Sequence, residues 1–468
     1  MTLDLVLDPN EPGPLYRQIA TRLRASITAG TLSPGARLPS SRSLAAQLGI
    51  ARGTVDAAYS MLAGEGAIDP RGSAGTIVSP NLAVRVAAPE QRAMRFATGP
   101  VAPQAAPLPF RMGLPALDAF PRKLWSSLAV RSSRGTSEVE LSYPDPAGLP
   151  ALRRQVAAYL GIARGIVCSP EQVLITGGFQ GALTLVRQAL LRPGDAVWIE
   201  DPCYHLTRQS LEAGAAALVP VPVDQEGMRV PAGIAAAPRA RLAVVTPTHQ
   251  SPLGVALSLP RRLALLAWAA EARAWVLEDD YDSEFRYTGH KLPPLKILDR
   301  GDRVIYAGSF SKVLFPGLRL GYLVVPHELA GALTRGCQLL TAGQPSPGQH
   351  VVAAFMEHGH FARHLRRMRT LYAARRQALA NALQAVFSDD VCIEMAAGGM
   401  HLLARFPGMA DDGILARRAA AAGLAPTALS SLALAYSSGQ GLLLGFTNVV
   451  ETEADAHARR LAAAIAPA

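Results

Sequence analysis

The sequence predicts a multidomain protein in which a small N-terminal α+β domain precedes a large α/β domain. Two short helical segments joined by a glycine-containing turn, and then two strand-like segments, occupy the first eighty residues. Further along, apolar strand-like runs end in glycine-rich, acidic or hydroxyl-rich loops, as the strands of α/β domains do. A length of 468 residues with 49% apolar content is enough for one small domain and one large, two-part domain.

The N-terminal domain has the pattern of a helix-turn-helix. An amphipathic helix opens near Pro14, because apolar residues then recur at every fourth position. Ser40 or Ser41 can cap a short helix over residues 41–48, and a second helix covers residues 52–64. In a helix-turn-helix the second helix enters the major groove, so we expect this domain to bind double-stranded DNA.

A hairpin follows these helices. Residues 66–68 and 76–78 predict two short strands, and residues 71–75 contain two glycines and predict the turn between them, so the hairpin is expected to form a wing. The predicted DNA contacts lie in the wing turn, at the helix starts and just before the first of them: Arg37, Ser40, Ser41, Arg42, Arg52, Thr54, Arg71 and Ser73.

The distribution of charge within the N-terminal domain supports DNA as a partner. Residues 15–55 contain six arginines and no acidic residue, whereas the first eighty residues carry a net charge of only +1. A stripe of arginines on a nearly neutral domain is what phosphate contacts require. The alternative is that the stripe reflects a general preference for arginine over lysine, because the chain has 42 arginines and four lysines.

Residues 81–109 are rich in proline and alanine and lack an apolar period, which predicts a semi-rigid linker between domains at residues 1–80 and 110–468. The net charge of +10 favours an anionic partner, and DNA fits. Four cysteines without metal-ligand spacing indicate reduced thiols. With no signal peptide and no apolar stretch long enough to span a bilayer, we expect a cytoplasmic protein without a membrane partner.

Lys312 has a setting that differs from those of the other lysines. It follows an apolar run, with Ser309 and Ser311 just before it and Arg319 seven residues later. Such a lysine suits a phosphate-bearing aldehyde, because the amine forms a Schiff base while the serines and the arginine hold the phosphate. The alternative is a surface lysine in a loop. Three lysines lie in polar or proline-rich segments and are expected to be solvated: Lys123, Lys291 and Lys296.

An acidic cluster, Glu278–Asp282, follows another strand-like run upstream of Lys312. A carboxylate at a strand end can pair with a protonated pyridine nitrogen and keep the ring an electron sink. A tyrosine two positions on lies on the same face of an extended chain and can reach the ring hydroxyl. The alternatives are a solvated acidic loop or a metal site. A metal is disfavoured, because no histidine or cysteine is nearby in the sequence.

A third element is the strand-like run 173–176, the turn Gly177–Gly178 and a helix that starts at Phe179. Free N–H groups at a helix N-terminus, with the helix dipole behind them, bind phosphate. A single glycine turn is weak support for a site. Together with the lysine and the acidic cluster, in this order and at strand ends, it predicts a site for a phosphate-bearing aldehyde.

From about Phe110 to the C-terminus the chain resembles fold-type I, pyridoxal-phosphate-dependent aminotransferases. The matching landmarks are residues 143–148, 176–178, 201–205, 247–254, 278–281 and 309–312. The resemblance implies an α/β fold with a large mixed sheet, helices on both of its faces and a small C-terminal subdomain. It also implies that pyridoxal 5'-phosphate is the cofactor.

The same resemblance implies roles for individual residues. Lys312 forms the internal aldimine, Asp279 pairs with the ring nitrogen, Tyr281 contacts the ring oxygen, Tyr204 stacks on the ring and Arg319 binds the phosphate. The remaining residues expected to bind the cofactor are Ser309, Ser311, Gly178, Phe179 and Gln250. No metal is expected.

Residues 38–42, 52–55 and 58–59 resemble GntR-type winged-helix domains. A domain of this type ahead of an aminotransferase-like domain is similar to the MocR/GabR family of transcriptional regulators, over nearly the full chain. The resemblance implies a pyridoxal-phosphate-dependent regulator, a homodimer built on the large domains, and an operator with repeated half-sites.

The sequence departs from the family pattern near its C-terminus. GABA-responsive regulators carry an arginine there that holds the substrate carboxylate, whereas residues 429–436 contain none. Without it, bidentate recognition of a free amino acid lacks support, although Arg111 or Arg405 could replace it. The asparagine that precedes a proline in aminotransferases is also missing, since Ser251 follows Gln250. We therefore do not expect full transaminase turnover.

Two versions of the regulator stay open. In one, an amino compound displaces Lys312 from the cofactor and changes the domain packing. In the other, the cofactor itself is the signal, which the missing arginine favours. A functional aminotransferase with an accessory DNA-binding domain is the rival function, and sustained turnover distinguishes it. A third alternative is a plain GntR repressor whose large domain binds no cofactor.

Overall fold

The computed structural model describes residues 5, 7–8, 13–80, 107–409 and 411–466. Most of the predicted linker, residues 81–109, lies outside the described residues. The chain divides into two units, Met1–Arg95 and Phe96–Ala468, and each is considered by itself.

The N-terminal unit contains three helices and a three-stranded antiparallel sheet in the order β1-β3-β2. The predicted helix-turn-helix and wing are confirmed. Two details differ from the expectation: the first wing strand is shifted towards the turn, and the segment just before the helix-turn-helix forms a third, two-residue strand. The elements are α1 (Leu15–Thr28), β1 (Arg37–Leu38), α2 (Ser41–Leu48), α3 (Arg52–Gly64), β2 (Ile68–Pro70) and β3 (Thr76–Val78).

The helices of this unit bury one apolar stripe each. Ile19 and Leu23 of α1 join Leu44 of α2 and Val55 of α3 in a single core, where their exposure is zero. At about 1.5–3 kcal/mol for each large apolar side chain, this burial stabilises the unit. Tyr59 then donates from its hydroxyl to the carbonyl of residue 39 (2.8 Å), which ties α3 to the segment before α2.

The second unit is built on an eight-stranded mixed sheet in the order β4-β11-β10-β9-β8-β5-β6-β7. The five strands β10, β9, β8, β5 and β6 are parallel neighbours, whereas β11 runs antiparallel to β10 and β4. The strands are β4 (Val173–Thr176), β5 (Ala196–Asp201), β6 (Ala217–Asp224), β7 (Gly227–Met228), β8 (Leu242–Val245), β9 (Trp275–Asp280), β10 (Val304–Ser309) and β11 (Gly321–Val324).

The central strands are buried along their full length, because helices cover the sheet. β8 and β9 have no exposed residue. This explains why they appear in the sequence as continuous apolar runs without alternation. The helices of this unit are α4 (Arg122–Arg134), α5 (Pro150–Arg164), α6 (Gly178–Leu190), α7 (His205–Ala213), α8 (Val230–Ala236), α9 (Leu259–Ala272), α10 (His327–Thr341), α11 (Ser346–Glu357), α12 (His360–Phe387), α13 (Asp412–Ala421) and α14 (Ala454–Ile465).

A second, four-stranded antiparallel sheet in the order β12-β13-β15-β14 forms the small C-terminal part. Its strands are β12 (Cys392–Glu394), β13 (His401–Arg405), β14 (Thr427–Ala428) and β15 (Leu442–Gly445). Short 3-10 helices lie at Gly72–Ala74, Leu117–Ala119, Pro170–Gln172, Leu295–Leu298, Pro316–Leu318, Ser388–Asp390, Leu429–Leu432 and Glu451–Glu453. The predicted fold class is thus confirmed in both units. None of the helices described here is long and apolar enough to cross a membrane.

Candidate cofactor site and DNA-binding surface

Lys312 lies three residues after the end of β10. Its Nζ donates a hydrogen bond to the carbonyl oxygen of Gly113 (2.9 Å). Gly113 has a φ of +70°, and a Cβ atom at this position would overlap with Nζ, so the position of the amine requires a glycine here. Gly113 was not predicted from the sequence, because 199 residues separate it from Lys312.

The surroundings of Lys312 favour the neutral amine. Burial lowers the pKa of Lys312 below its usual value, the carboxylates of Asp282 and Asp279 oppose this, and Arg319 adds to the lowering. A lower pKa leaves more of the amine unprotonated at neutral pH, and the unprotonated amine is the form that attacks a carbonyl. Lys312 is therefore suited to covalent chemistry.

The other lysines lie in different settings. Lys123 and Lys291 are exposed, as expected. For Lys296 the expectation of a solvated side chain was wrong. Its side chain is 11% exposed, and its amine lies 2.9 Å from Asp302 and 3.7 Å from Asp299, so an ion pair fixes it.

Asp279 lies on β9 in register with Ala307 of β10, the strand that leads to Lys312. Its side chain is buried, and no described residue donates a hydrogen bond to its carboxylate. Burial and then the charge of Asp280 hold the pKa of Asp279 well above its usual range. A protonated ring nitrogen would supply both the missing donor and the missing charge, so Asp279 fits the predicted pairing.

The glycine turn and Arg319 meet through β11. Gly321 of β11 pairs with Ser309 of β10, and β11 also pairs with β4, which leads into the turn. Arg319 donates from Nη2 to the carbonyl of Gly177 (3.3 Å). Helix α6 begins at Gly178 and no side chain caps its first turn. Its N–H groups and the Arg319 guanidinium therefore suit a phosphate.

The other predicted phosphate contacts belong to the same segments. Ser311 donates its N–H to the hydroxyl of Ser309 (3.2 Å), which orders the loop before Lys312. Phe179 is the second residue of α6, after Gly178 with its φ of +73°. The structure thus places these residues and Arg319 on the segments that follow β4 and β10.

Tyr204 directly precedes α7 and is 38% exposed. Burial raises the pKa of its hydroxyl, the charge of Asp279 adds to the rise and Arg319 opposes it. The tyrosine is therefore within electrostatic range of the residue predicted to hold the ring nitrogen and of the one predicted to hold the phosphate. That position suits stacking on the ring between them.

Gln250 is buried, and its amide bonds to the backbone. Nε2 donates to the carbonyls of Pro202 and Ser251 (2.8 Å each), and Oε1 accepts from the N–H of Leu253 (3.0 Å). Gln250 therefore stabilises the loop that follows β8. Its contact with the cofactor stays a prediction.

His249 meets two residues of the acidic cluster, Tyr281 and Asp282, and of the three only Tyr281 was given a role from the sequence. The Tyr281 hydroxyl lies 3.0 Å from Nδ1 of His249, and Asp282 lies 3.0 Å from the same nitrogen. The expectation that no histidine is near the cluster was therefore wrong in three dimensions, although it held along the chain. Among the residues that the structure describes, no group of three or more potential ligands could hold a metal.

Glu200, at the end of β5, is buried and titrates in an unusual range. It accepts the N–H (3.1 Å) and the hydroxyl (2.5 Å) of Thr246. Burial raises its pKa from 4.5 to about 7. A carboxyl group whose pKa is higher in the folded state contributes its stability fully below pH 4.5 and loses it as the pH rises through 7.

Glu200→Gln removes this titration. We expect the variant to gain up to about 3 kcal/mol of unfolding free energy relative to the parent between pH 4.5 and pH 8, since each unit of pKa shift equals about 1.4 kcal/mol. Urea unfolding at a series of pH values measures the difference. The exposed Glu212→Gln is the matched control, and a Glu200→Gln difference that stays constant with pH would contradict the expectation.

The predicted DNA contacts lie at the surface of the N-terminal unit. Ser40 caps α2 by accepting the N–H of Ser43 (3.2 Å), and Arg37 holds the wing by donating to the carbonyl of Ala74 (2.8 Å). Besides Arg37, five of the predicted residues are exposed: Ser40, Arg42, Arg52, Arg71 and Ser73. Two are half-buried: Ser41 and Thr54.

Two arginines of the stripe form ion pairs with acidic residues that the structure describes. Arg24 makes two hydrogen bonds to Glu65, of 2.6 and 2.9 Å, so it links α1 to the end of α3. Arg52 lies 3.4 Å from Asp56, one turn further along α3, and both side chains are at least half exposed. The Arg24 pair is structural, whereas the weak Arg52 pair leaves that side chain accessible to DNA.

The segment that lacks the carboxylate-binding arginine is fixed by other contacts. Asp201 accepts the N–H groups of residues 434–436 at 2.7–2.9 Å. Leu429 and Leu432 belong to an apolar cluster with Met112, the neighbour of Gly113. Arg405 is engaged elsewhere, because it bonds to Glu394 (2.5 Å) and to two backbone carbonyls.

Of the two arginines considered as replacements, only Arg111 belongs to the segment that contacts Lys312. It lies two residues before Gly113, whose carbonyl accepts the Lys312 amine. Its side chain is half-buried and has no hydrogen bond to any residue within the described ranges. Arg111 is therefore the better placed of the two for an acidic group on an effector.

Comparison with known families agrees with both units. Residues 119–425 match aminotransferase class I and II, and residues 15–78 match the bacterial regulatory proteins of the gntR family. The fold and the site thus define a DNA-binding protein with a large domain of the aminotransferase type. Its cofactor is pyridoxal 5'-phosphate.

Two relatives match over almost the whole chain. The chain is 37% identical to the probable rhizopine catabolism regulatory protein MocR of Rhizobium meliloti, over 95% of this chain and 92% of that protein. It is 33% identical to the pyridoxine biosynthesis transcriptional regulator PdxR of Corynebacterium glutamicum, over 95% and 94%. The chain belongs to the MocR/GabR-type family of transcriptional regulators.

Solved structures match the large unit. The kynurenine aminotransferase of Pyrococcus horikoshii, a complex with PMP, is 29% identical with a TM-score of 0.69, covering 76% of this chain and 90% of that one. LysN, an α-aminoadipate aminotransferase of Thermus thermophilus, is complexed with N-(5'-phosphopyridoxyl)-L-leucine. It is 31% identical with a TM-score of 0.69, covering 76% and 92%.

Proposed function

We propose that this regulator binds pyridoxal 5'-phosphate covalently at Lys312 and reports the state of that site to its DNA-binding domain. The observation that supports this most directly is the placement of Asp279 on β9, Lys312 just after the neighbouring strand β10, and Arg319 just before β11, which pairs with β10. These three residues supply the groups that the cofactor needs: an amine, a partner for the ring nitrogen and a cation for the phosphate.

When bound, the cofactor supplies an aldehyde and an electron-poor ring. The residues of the chain bind and orient it. The Asp279 carboxylate would hold the proton of the ring nitrogen, and the first turn of α6 with Arg319 would hold the phosphate. Lys312, whose pKa is lowered by burial, would form the covalent bond. Tyr204 would cover one face of the ring, and Tyr281 would donate to its oxygen.

Two effectors remain under this proposal. The PdxR relative is named for pyridoxine biosynthesis, which supports a version in which the cofactor is the signal. The apolar cluster around Leu432 supports it further, because it offers no charge to a carboxylate. In the other version an amino compound displaces Lys312, and Arg111 binds its acidic group if it has one. Titrating the purified protein on DNA with cofactor alone, and then with amino acids, separates the two.

We further propose a cytoplasmic homodimer built on the large units that binds an operator with repeated half-sites. Val139, Leu141 and Tyr143 are 82%, 77% and 91% exposed. They precede Asp145, whose carbonyl oxygen lies next to Gly343. Apolar side chains this exposed are typical of a surface that another subunit covers. The proposed domain limits are residues 1–80 and 110–468, with 81–109 as the linker.

The rival function, a working aminotransferase with an accessory DNA-binding domain, predicts sustained exchange between an amino acid and a keto acid. The regulator predicts salt-dependent DNA binding that changes with cofactor or effector and no sustained turnover. Measuring both on one preparation decides between them. A preparation that turns over steadily and binds DNA without response to cofactor or effector would contradict the proposal.

Substitutions at Arg42 and Arg52 test the DNA-binding surface. Arg42 is exposed near the start of α2 and is placed for phosphate, so Arg42→Gln should weaken binding to all sequences alike and reduce the salt dependence by about one unit. Arg52 opens α3, so Arg52→Gln should cost about 1–3 kcal/mol and relax preference at one position in each half-site if it contacts a base.

Fluorescence anisotropy on operator and random DNA at several salt concentrations gives both quantities. Arg300, exposed on the large unit, provides the matched control Arg300→Gln. Equal losses in all three variants would show that only net charge matters, and would contradict the proposed surface.

A further inference from the structure

We propose that His249 and Asp282 form a positioning pair that fixes Tyr281 as a hydrogen-bond donor towards the cofactor ring. This inference rests on the proposed placement of the ring beside Tyr281. Three oxygen atoms converge on one nitrogen: the Tyr281 hydroxyl lies 3.0 Å from Nδ1 of His249, and the two carboxylate oxygens of Asp282 lie at 3.0 and 3.1 Å.

Nδ1 can bear only one hydrogen, and Asp282 is the stronger acceptor. The Asp282 side chain is 1% exposed, so its charge needs a donor, and the imidazole N–H supplies it. A protonated Nδ1 has no lone pair to accept a hydrogen bond. The hydrogen of the Tyr281 hydroxyl must therefore point away from His249.

The Tyr281 hydroxyl keeps its hydrogen, because burial and the charge of Asp282 hold the pKa of Tyr281 well above its usual range. The charge of Asp279 adds to this rise, so the hydroxyl lies within electrostatic range of the residue predicted to hold the ring nitrogen. With Nδ1–H facing Asp282, the tyrosine hydrogen is free to point towards that site.

The surroundings of the second ring nitrogen support the same tautomer. His249 lines a cavity of about 20 Å³, enough for one water molecule, and its Nε2 has no partner among the described residues. Arg164 and Arg286 line the same cavity. Nδ1 is therefore the ring nitrogen whose hydrogen has an acceptor among the described residues, namely the Asp282 carboxylate.

Packing prevents the ring from exchanging its two nitrogens. A Cβ atom on Gly399 would overlap with the His249 ring, and one on Gly254 would lie 3.1 Å from Nε2. His401 lies on another side, with ring centroids 6.0 Å apart, and burial lowers its pKa to about 4, so it adds no charge. The orientation that presents Nδ1 to both Asp282 and Tyr281 is thereby fixed.

The test compares His249→Gln with His249→Asn in the full-length protein loaded with pyridoxal 5'-phosphate. The asparagine amide lies near the position of Nδ1 and can donate to Asp282, whereas the glutamine amide lies near Nε2. The readout is the pH at which the absorbance of the bound cofactor changes. A donor to the ring oxygen favours its ionised form, so losing the donor raises this pH.

We expect His249→Gln to raise the midpoint by about one pH unit, which is a tenfold change in proton affinity, and His249→Asn to raise it by much less. In a Tyr281→Phe background, His249→Gln should add nothing, because the effect passes through the tyrosine. Equal shifts for glutamine and asparagine, a shift that persists without Tyr281, or no shift in His249→Gln would each overturn the proposal.

Folding is monitored by thermal unfolding and by DNA binding. His457→Gln is the control, because the His457 side chain is also largely buried (14% exposed) and paired, with Glu453 at the start of α14 (3.5 Å). If His249→Gln does not fold, His249→Ala serves instead, with the same rise expected and its absence overturning the proposal. If the proposed cofactor site itself is wrong, the parent protein shows no cofactor absorbance, and this outcome differs from every outcome of the His249 test.

Discussion

Lys312→Ala is expected to abolish covalent attachment of pyridoxal 5'-phosphate while the N-terminal unit stays folded. The amine of Lys312 is the buried amine at the end of β10, with a lowered pKa and a fixed hydrogen bond to Gly113. No other lysine meets these conditions, because two are exposed and Lys296 is held by carboxylates. Parent protein should show a cofactor absorbance band that borohydride abolishes, and mass spectrometry should place the reduced adduct on Lys312.

Two control variants sharpen this result. Lys296→Ala removes a lysine of similar burial and should leave the adduct in full yield, and Lys123→Ala should do the same for an exposed lysine. DNA binding by the cofactor-free Lys312→Ala protein tests whether the N-terminal unit is intact. An adduct recovered on another lysine in the parent protein would refute the site.

The sequence predicted the parts of the site that lie within single segments. Lys312, its serines and Arg319 occur within eleven residues, from the end of β10 to the residue before Leu320 and β11, so their arrangement follows from local geometry. The helix-turn-helix was predicted for the same reason, since its caps and apolar spacing are local signals. Its third strand was missed because two residues carry no periodic pattern.

Contacts between distant segments could not be predicted. Gly113 meets Lys312 across 199 residues, and Asp201 meets the segment at Leu434 across 233. His249 and Asp282 are 33 residues apart and come together only because β8 and β9 are parallel neighbours whose ends lie at the same edge of the sheet. One signal was present: His249 lies in a landmark of the family resemblance, directly before Gln250.

The Asp279 carboxylate is expected to have opposite effects on the cofactor-free and the cofactor-bound protein. Burial holds its pKa well above the usual range, so at neutral pH the carboxylate lowers the stability of the folded protein without cofactor. With cofactor bound as proposed, the protonated ring nitrogen would supply the donor that no described residue provides. Breaking a buried pair of this kind costs about 3–5 kcal/mol.

Asp279→Asn should therefore raise the thermal midpoint of the cofactor-free protein at pH 7–8 and increase the cofactor dissociation constant by about 100-fold or more. Below the ordinary pKa of an aspartate the stability difference should vanish, because the parent carboxyl is then protonated in the folded and the unfolded chain. Differential scanning fluorimetry and equilibrium dialysis of the cofactor give the two quantities.

Glu278→Gln is the matched control for Asp279→Asn. Glu278 precedes Asp279 on β9, points to the opposite face of the strand, and accepts the N–H groups of Leu295 (2.7 Å) and Lys296 (2.9 Å). Its loss should change stability and leave cofactor affinity within about twofold. Cofactor affinity that is unchanged in Asp279→Asn, or reduced equally in both variants, would mean that the ring nitrogen lies elsewhere. Of the two carboxylates whose charge acts on Lys312, Asp282 is paired with His249, whereas Asp279 has no donor among the described residues.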